Sequence, residues 1–251
     1  MRVRVLGAHN AASATTAPVS LLVDDVICID AGAVHTALTI EEQRGVRAVL
    51  LTHRHFDHIH GVPLLAINTA GHGLTRVYGL ESVLAELQEH LINGVLYPDF
   101  LPGGKLPSLD LRTIEPLEEI EIEGHTALAV PVEHGVDAVG YEVRSADGRS
   151  IFYTGDTGGG LASAWEHVSP DALFCEVTHP DGHGEGSKHL SPARFEAEIA
   201  SYLASKPAPA RVIAVHMTPW LEEAIVAELG DVSQRLGVEI EPAYEGMVVK
   251  V

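Results

Sequence analysis

The chain has 251 residues, 46% of them hydrophobic, which is enough to bury the core of one sizeable α/β domain or of two small ones. Lysine and arginine total 16 against 35 aspartates and glutamates, a formal charge of −19. Such a surface repels polyanions and argues against a large nucleic acid as partner. No stretch approaches the length of a membrane span, and Met1 to Gly7 alternates like a strand rather than a signal peptide, which predicts a cytoplasmic protein.

The first fifty residues predict short strands and one helix. Residues 2–6 and 19–30 read as strands, the second stretch as a hairpin that turns at Asp24-Asp25. Asp30 follows the hairpin, and we expect it to have a structural role in a turn. A short helix over 37–44 and a buried apolar strand over 46–51 come next.

A dense cluster of metal-binding side chains follows that strand. The segment Thr52-His53-Arg54-His55-Phe56-Asp57-His58-Ile59-His60-Gly61 places three imidazoles and a carboxylate within six residues. Imidazole nitrogen and carboxylate oxygen are the ligands that a borderline divalent metal such as zinc prefers. The ordered pattern His-x-His-x-Asp-His after an apolar strand resembles the signature of the metallo-β-lactamase superfamily.

That resemblance implies a fold and a set of later ligands. The fold is α/β, an αββα sandwich of two mixed sheets flanked by helices, with a two-metal site along one sheet edge. The later ligands are a histidine, an aspartate after a strand and a last histidine after another strand. His134, Asp156 and His216 meet this order, each directly after an apolar strand-like run.

The rest of the chain alternates predicted strands and helices. Further strands are expected at 120–123, 127–132, 138–143, 150–153, 172–175, 211–215 and within 238–251, and helices at 81–93, from Pro192 and over 219–229. Cys28 and Cys175 lie in apolar runs and are expected to be buried free thiols. With no linker or repeat in the sequence, we predict one domain over 1–251.

Four segments resemble class II cyclic-nucleotide phosphodiesterases more narrowly. They are His90 to Phe100, Phe174 to Pro180, Lys188-His189-Leu190-Ser191-Pro192 and Val215 to Trp220. The chain departs from that family at Lys188, Thr218 and His60, where a glycine, a lysine and a small residue are usual, so the substrate stays open. The pair Glu176 and His189 also resembles the catalytic pair of the tRNA-processing enzyme RNase Z, although we find no basic tRNA-binding arm.

The resemblance implies hydrolysis of a 3′,5′-cyclic nucleotide (cAMP or cGMP), or a similar small phosphodiester, by a metal-bridging hydroxide. It implies two divalent metal ions, Zn²⁺ first and Mn²⁺ or Fe²⁺ as options, one on His53, His55 and His134 and one on Asp57, His58 and His216. Asp156 would bridge the two ions.

The same resemblance gives the catalytic roles and the partners. Asp57 would orient the hydroxide, His189 would protonate the leaving group and Glu176 would hold His189 in the right tautomer. The expected partner is a small anionic substrate, with a homodimer expected by analogy. Alternative functions are tRNA 3′ processing, lactone or thioester hydrolysis, and metal binding without catalysis. His179 and His183 are further candidates for a substrate contact.

Overall fold

Two mixed β-sheets of seven strands each form the centre of the protein, whose computed structural model describes residues 1–184 and 186–251. The first sheet contains β1 (Arg2–Gly7), β2 (Ser20–Val23), β3 (Ile27–Ile29), β4 (Ala48–Leu50), β5 (Thr75–Gly79), β6 (Leu109–Thr113) and β14 (Val248–Lys250). Its order is β14-β1-β2-β3-β4-β5-β6, antiparallel from β14 to β3 and parallel from β3 to β6.

The second sheet contains the remaining strands in a similar arrangement. These are β7 (Glu119–Ile122), β8 (His125–Pro131), β9 (Val139–Ser145), β10 (Ser150–Tyr153), β11 (Ala172–Glu176), β12 (Arg211–Val215) and β13 (Ile240–Pro242). Its order is β13-β12-β11-β10-β9-β8-β7, parallel from β13 to β10 and antiparallel from β10 to β7. The parallel strands β4, β10, β11 and β12 all precede predicted site residues.

Helices cover the outer face of each sheet. Their bounds are α1 (Val34–Ala37), α2 (Ile40–Gly45), α3 (Phe56–Ile59), α4 (Gly61–Thr69), α5 (Glu81–His90), α6 (Ala162–His167), α7 (Pro192–Leu203) and α8 (Glu222–Leu236), with a 3-10 turn at Pro219–Leu221. The α5 face of Val83, Leu84 and Leu87 is buried against the first sheet. The α7 face of Phe195, Ile199 and Tyr202 is buried against the second.

Three apolar clusters hold these layers together. One lies between the sheets and contains residues of both, such as Leu21 and Phe174, and the other two lie under the two helical layers. Each sheet is therefore covered by the other sheet on one face and by helices on the opposite face. This explains why its strands have continuous apolar runs in the sequence. The architecture is the α/β sandwich of two mixed sheets with flanking helices that the sequence predicts.

Several element boundaries differ from the sequence prediction. The short helix predicted over 37–44 is present but begins later: Thr39 caps it at Ile40 through a capping box with Glu42, and Val34–Ala37 forms a separate turn of helix, α1. The helix predicted over 81–93 ends at His90. The last helix extends beyond 229 to Leu236, where Gly237 ends it in the left-handed conformation.

The two cysteines are found as the sequence predicts. Cys28 in β3 and Cys175 in β11 are buried free thiols. Among the described residues, no helix is long and apolar enough to cross a membrane.

Candidate metal centre

The first sheet supplies four candidate ligands through the segment that follows β4. His53 and His55 lie on the extended loop, and Asp57 and His58 lie on α3, which begins directly after His55. His55 has extended backbone angles (φ −62°, ψ 146°), so the chain turns from loop to helix at this residue. The turn brings residues of both local conformations to one edge of the sheet.

The second sheet supplies three ligands from the ends of β8, β10 and β12. His134 follows β8, Asp156 follows β10 and His216 follows β12 directly. Gly155 has φ +61°, and a Cβ there would lie 2.9 Å from the carbonyl oxygen of Val139, so only glycine fits before Asp156.

His216 itself has a left-handed backbone (φ 66°). This conformation costs a non-glycine residue about 1–2 kcal/mol. Its backbone N–H donates to the carbonyl of Ala8 at 2.6 Å, which holds the chain in this conformation at the end of β12. Unfavourable backbone conformations of this kind cluster at functional sites.

His53, His55 and His134 form one convergent group. His55 Nδ1 lies 3.0 Å from His53 Nε2 and 3.1 Å from His134 Nε2. Asp156 Oδ2 lies 3.5 Å from His53 Nε2 and completes a set of four donor atoms within reach of one ion. This is the set of ligands predicted for the first metal together with the predicted bridging carboxylate.

Asp57, His58 and His216 form a second group beside the first. Asp57 Oδ2 is 3.5 Å from the Nε2 atoms of both His58 and His216. Asp156 lies against this group too, with Oδ2 at 3.3 Å from His58 Nε2 and Oδ1 at 3.4 Å from His216 Nε2. The structure therefore brings all seven predicted ligands together, with the Asp156 carboxylate between the two groups.

Hydrogen bonds behind two of the histidines decide which ring nitrogen faces the centre. His58 Nδ1 is 2.6 Å from Asp30 Oδ2, so Nδ1 carries the proton and donates it. The Thr52 hydroxyl donates to Asp30 Oδ2 at 2.8 Å, so His53 Nδ1, 3.0 Å from that hydroxyl, is the donor in their contact. In both rings Nε2 faces the centre, so it is the nitrogen available to a metal ion, which would take the place of any proton on it.

The same arrangement recurs on the second sheet. The Thr178 hydroxyl donates to Glu176 Oε2 at 2.7 Å and so accepts from His216 Nδ1 at 2.8 Å. His134 Nδ1 donates to the carbonyl of Lys188 at 3.0 Å. The rings of His216 and His134 therefore also direct Nε2 towards the centre of the cluster, whereas the ring of His55 directs Nδ1 towards it.

The donor atoms fit a divalent cation. Three buried atoms at the centre of the cluster, His58 Nε2, His216 Nε2 and Asp156 Oδ1, have no hydrogen-bond partner, although buried polar atoms are nearly always paired. Imidazole nitrogen with carboxylate oxygen is a set that zinc binds well, and manganese or iron also accepts it. A cation among these atoms would pair all three.

The charges of the protein agree with a cation at this position. Burial, reinforced by the neighbouring imidazoles, holds the pKa of His53 well below its usual value of 6.5, so its ring is neutral at pH 7. Burial opposes ionisation of Asp57 and Asp156, but the surrounding histidines outweigh it and lower the pKa of both carboxyl groups. Burial also opposes a charge on His58, yet Asp156 and Asp30 raise its pKa well above 6.5. Buried carboxylates that draw a positive charge to this degree favour metal binding.

Glu176 and His189 lie together at the rim of the centre. Glu176 is the last residue of β11 and is fully buried, and His189 lies three residues before the start of α7. Glu176 Oε1 accepts from His189 Nδ1 at 2.9 Å, and it also accepts from the backbone N–H of Thr157 at 2.9 Å. Burial lowers the basicity of His189, but the Glu176 carboxylate outweighs it and raises the pKa. His189 Nδ1 is 3.9 Å from Asp156 Oδ2, so the pair adjoins both groups of ligands.

A match to a family model identifies the protein family of the chain. Residues 26–217 match the model described as "Beta-lactamase superfamily domain". The chain belongs to the beta-lactamase superfamily.

The chain is similar to individual members of the beta-lactamase superfamily and to solved structures. The chain is 26% identical over 140 residues to a 3′,5′-cyclic-nucleotide phosphodiesterase of Schizosaccharomyces pombe, a stretch that covers 55% of this chain and 38% of that relative. Unliganded yeast PDE1 has a similar fold (TM-score 0.81, 17% identity, 100% of this chain and 99% of that one). The short form of human tRNase Z does as well (TM-score 0.72, 18% identity, 100% and 99%). The family and its phosphodiesterase relative support a hydrolase, with a histidine and aspartate cluster suited to a metal.

Arg54 and three further histidines, His60, His90 and His125, lie outside the cluster of candidate ligands. Arg54 pairs with Glu86 at 2.9 Å and is exposed, as its alternate position in the motif predicts. His90 also pairs with Glu86, and His125 contacts Asp24 at the far end of β8. His60 is not among the candidate ligands either. Its Nδ1 lies 3.0 Å from the backbone carbonyl oxygen of Phe56.

Sequence reasoning missed the residues that hold the ligands. Asp30, expected only to shape a turn, contacts His58 and Thr52, and Thr178 contacts His216. Asp30 also has a left-handed backbone (φ 56°), which points to a constrained position. A polar residue directly after a buried strand, at the same sheet edge as the ligands, is the signal that identifies it.

Proposed function

We propose that the protein hydrolyses a small phosphodiester, with a 3′,5′-cyclic nucleotide as the leading candidate substrate. The observation that carries this proposal is the Glu176–His189 pair beside the candidate metal ligands. A protein that only bound metal would have no need of a buried carboxylate that orients a histidine at the rim. The carboxylate–histidine pair is the arrangement expected of an acid–base catalyst.

Two divalent cations, most simply Zn²⁺, would be held by the residues already described. His53, His55 and His134 would hold one and Asp57, His58 and His216 the other, with Asp156 shared, since its oxygens contact members of both groups. When bound, such ions supply Lewis-acid activation of water and neutralise the phosphate oxygens.

The side chains would divide the proton transfers between them. The oxygen of the attacking water forms the new bond to phosphorus, the bond from phosphorus to the leaving oxygen breaks, and the proton that the water loses passes to the solvent, from which His189 is later reprotonated. Asp57, whose carboxyl is ionised, would orient the water by accepting its hydrogen bond. His189, held by Glu176 through Nδ1, would give a proton to the leaving alkoxide.

The charge of the chain favours a small substrate over a large nucleic acid. With a formal charge of −19, the protein repels a tRNA backbone and gains nothing from the counterion release that drives nucleic-acid binding. The phosphodiesterase relative acts on 3′,5′-cyclic nucleotides according to its name, which supports that class for this chain. A homodimer in the cytoplasm remains part of the proposal.

Turnover by metal-quantified protein tests the proposal. We expect hydrolysis of 3′,5′-cyclic AMP and of bis(p-nitrophenyl) phosphate, with both activities lost on chelation. Hydrolysis of bis(p-nitrophenyl) phosphate alone would support phosphodiester hydrolysis but would reject a 3′,5′-cyclic nucleotide as the substrate. Inactivity towards both, with metal bound, would reject the proposal, and pre-tRNA and lactones run in parallel would then test the alternatives.

A further inference from the structure

A cavity of about 270 Å³ lies directly beside the candidate active site. Its polar lining consists of His179, His183, Ser187, His189, Ser191 and Arg194. His189 belongs to both the cavity and the active site, and the His179 ring, 6.1 Å from it between centroids, forms the next part of the wall. A group bound in the cavity would therefore adjoin the atom that His189 protonates.

The lining of the cavity suits an anion. One guanidinium, three imidazoles and two hydroxyls contribute to it, and no carboxylate of residues 1–184 or 186–251 does. Most arginines of this acidic chain pair with carboxylates, as Arg54 does with Glu86. Arg194 forms no such pair with any carboxylate that the structure describes.

The position of Arg194 in α7 is also unusual. It lies in the first turn of a twelve-residue helix, where the helix dipole favours negative charge and opposes a cation. Ser191 occupies the N-cap position, yet its side chain makes no capping hydrogen bond. Asp181 caps the helix instead, since its Oδ1 accepts from the backbone N–H of Ala193 at 3.0 Å, and Ser191 and Arg194 both line the cavity.

Arg194 has a structural contact that accounts for only part of its side chain. Its Nη1 donates to the carbonyls of Ser187 and His189 at 3.1 and 3.3 Å. A guanidinium has five N–H donors, and the donors on Nε and Nη2 have no partner among the described residues. Arg194 can therefore hold the loop and bind an anion at the same time.

We propose that this cavity binds a phosphate monoester carried by the leaving group of the substrate. The inference rests on the proposed phosphodiester hydrolysis, because His189 protonates the leaving oxygen and the cavity adjoins His189. The substrate range then extends beyond cyclic nucleotides, whose leaving oxygen stays on the same nucleotide, to small linear phosphodiesters whose leaving alcohol carries a terminal phosphate. Arg194 pairs with that phosphate, and the hydroxyls of Ser187 and Ser191 donate to it.

A pair of dinucleotides tests the cavity directly. With metal-loaded protein, the 5′-phosphorylated diadenylate should exceed unphosphorylated diadenylate in kcat/KM by about 10–100-fold, mainly through KM, as expected for hydrogen bonds to a charged group. Arg194→Met should abolish that preference, so that the two dinucleotides then have equal kcat/KM, whatever the loss of its contacts with the loop costs both compounds alike. Arg194→Lys, which restores the charge, should recover part of it. Arg54→Met is the matched control, because it removes an arginine near the ligands that is already paired.

Two outcomes would overturn the inference and leave the proposed function intact. One is equal kcat/KM for both dinucleotides in the wild-type protein. The other is an equal loss for both in Arg194→Met, which would show that Arg194 only holds the loop.

Inactivity of the wild-type protein on every diester would reject the proposed function, and binding then decides the cavity separately. Inorganic phosphate should raise the Tm of wild-type protein more than that of Arg194→Met, with Arg54→Met behaving as wild type. Equal shifts in all three proteins would reject the anion site.

Discussion

Single residues behind the ligands determine how the candidate site presents its nitrogens. Asp30, Thr52 and Thr178 fix the tautomers of three histidines, so that each lone pair is directed at the centre. Partners of this kind usually change metal affinity about 10–100-fold when they are removed. The site therefore extends beyond the seven ligands.

Asp30→Asn tests this dependence. The substitution removes the acceptor of His58 Nδ1–H but suits the left-handed backbone at φ 56°, which asparagine tolerates. We expect a loss of about 10–100-fold in affinity for one metal, measured by competition with a chelator. Asp25→Asn is the matched control, since Asp25 is exposed and has a similar backbone (φ 60°). Equal affinity in both variants would contradict the role of Asp30.

His189→Ala separates catalysis from metal binding. His189 is held by Glu176 and belongs to neither predicted group of ligands, although it lies with Asp156 and His216 within reach of one ion, so metal content should stay at the wild-type level. Turnover of bis(p-nitrophenyl) phosphate should fall by about 10²–10⁴-fold, the usual contribution of a general acid. His72→Ala, at an exposed turn, should behave as wild type. Unchanged turnover in His189→Ala would remove it from the mechanism.

The sequence identifies the candidate ligands better than the residues that form hydrogen bonds to them, and the reason is physical. His53, His55, Asp57 and His58 share one short segment, and each later ligand lies within three residues of the end of an apolar strand, so local pattern and spacing find them. The partner of His58 is 28 positions away, at Asp30, and only the pairing of β3 with β4 brings the two together. Contacts between distant segments leave no local signal.

A helix whose exposed position is also apolar is likewise missed. In α4, Val62, Leu65 and Ala66 are buried and the exposed position is Ile67, so the sequence shows no contrast between a polar and an apolar face. Elements with one exposed face, such as α5 and α7, follow the expected pattern closely. Amphipathic periodicity therefore explains which helices were predicted.

One polar network ties the end of β1 to two distant elements and predicts a pH effect. Glu245 Oε1 accepts from His9 Nδ1 at 2.6 Å and from the backbone N–H of Ala17 at 2.9 Å, while His9 Nε2 lies 3.3 Å from Glu222. Burial opposes a charge on His9, but the carboxylates of Glu245 and Glu222 outweigh it and raise its pKa above 6.5.

Because the folded pKa of His9 exceeds the unfolded one, its contribution to stability is complete below about pH 6.5 and declines as the pH rises through the folded value. In metal-free protein, the free energy of unfolding should therefore fall more steeply between pH 6 and 9 in the wild type than in His9→Gln, as measured by urea denaturation. His167→Gln, at an exposed helix end, should follow the wild type. Parallel curves for wild type and His9→Gln would contradict the linkage.

At the scale of the whole molecule, the candidate metal centre joins the two sheets. His53, His55, Asp57 and His58 follow β4 of the first sheet, whereas His134, Asp156 and His216 follow strands of the second. The interface between the sheets is an apolar cluster, but at this edge buried carboxylates and imidazoles meet, and a cation there would link both halves.

Metal removal should consequently destabilise the entire fold. A ligand that binds only the folded state at about 100 times its Kd adds about 2.7 kcal/mol to the free energy of unfolding. For a chain of this size that corresponds to about 5–11 °C in Tm. We expect the Tm to fall by this order on chelation and to rise with the logarithm of free metal on titration back. His134→Ala should show a smaller metal-dependent shift, because it removes a ligand from the second sheet, whereas His72→Ala should match the wild type. A Tm that does not respond to metal would show that the ligands do not link the sheets.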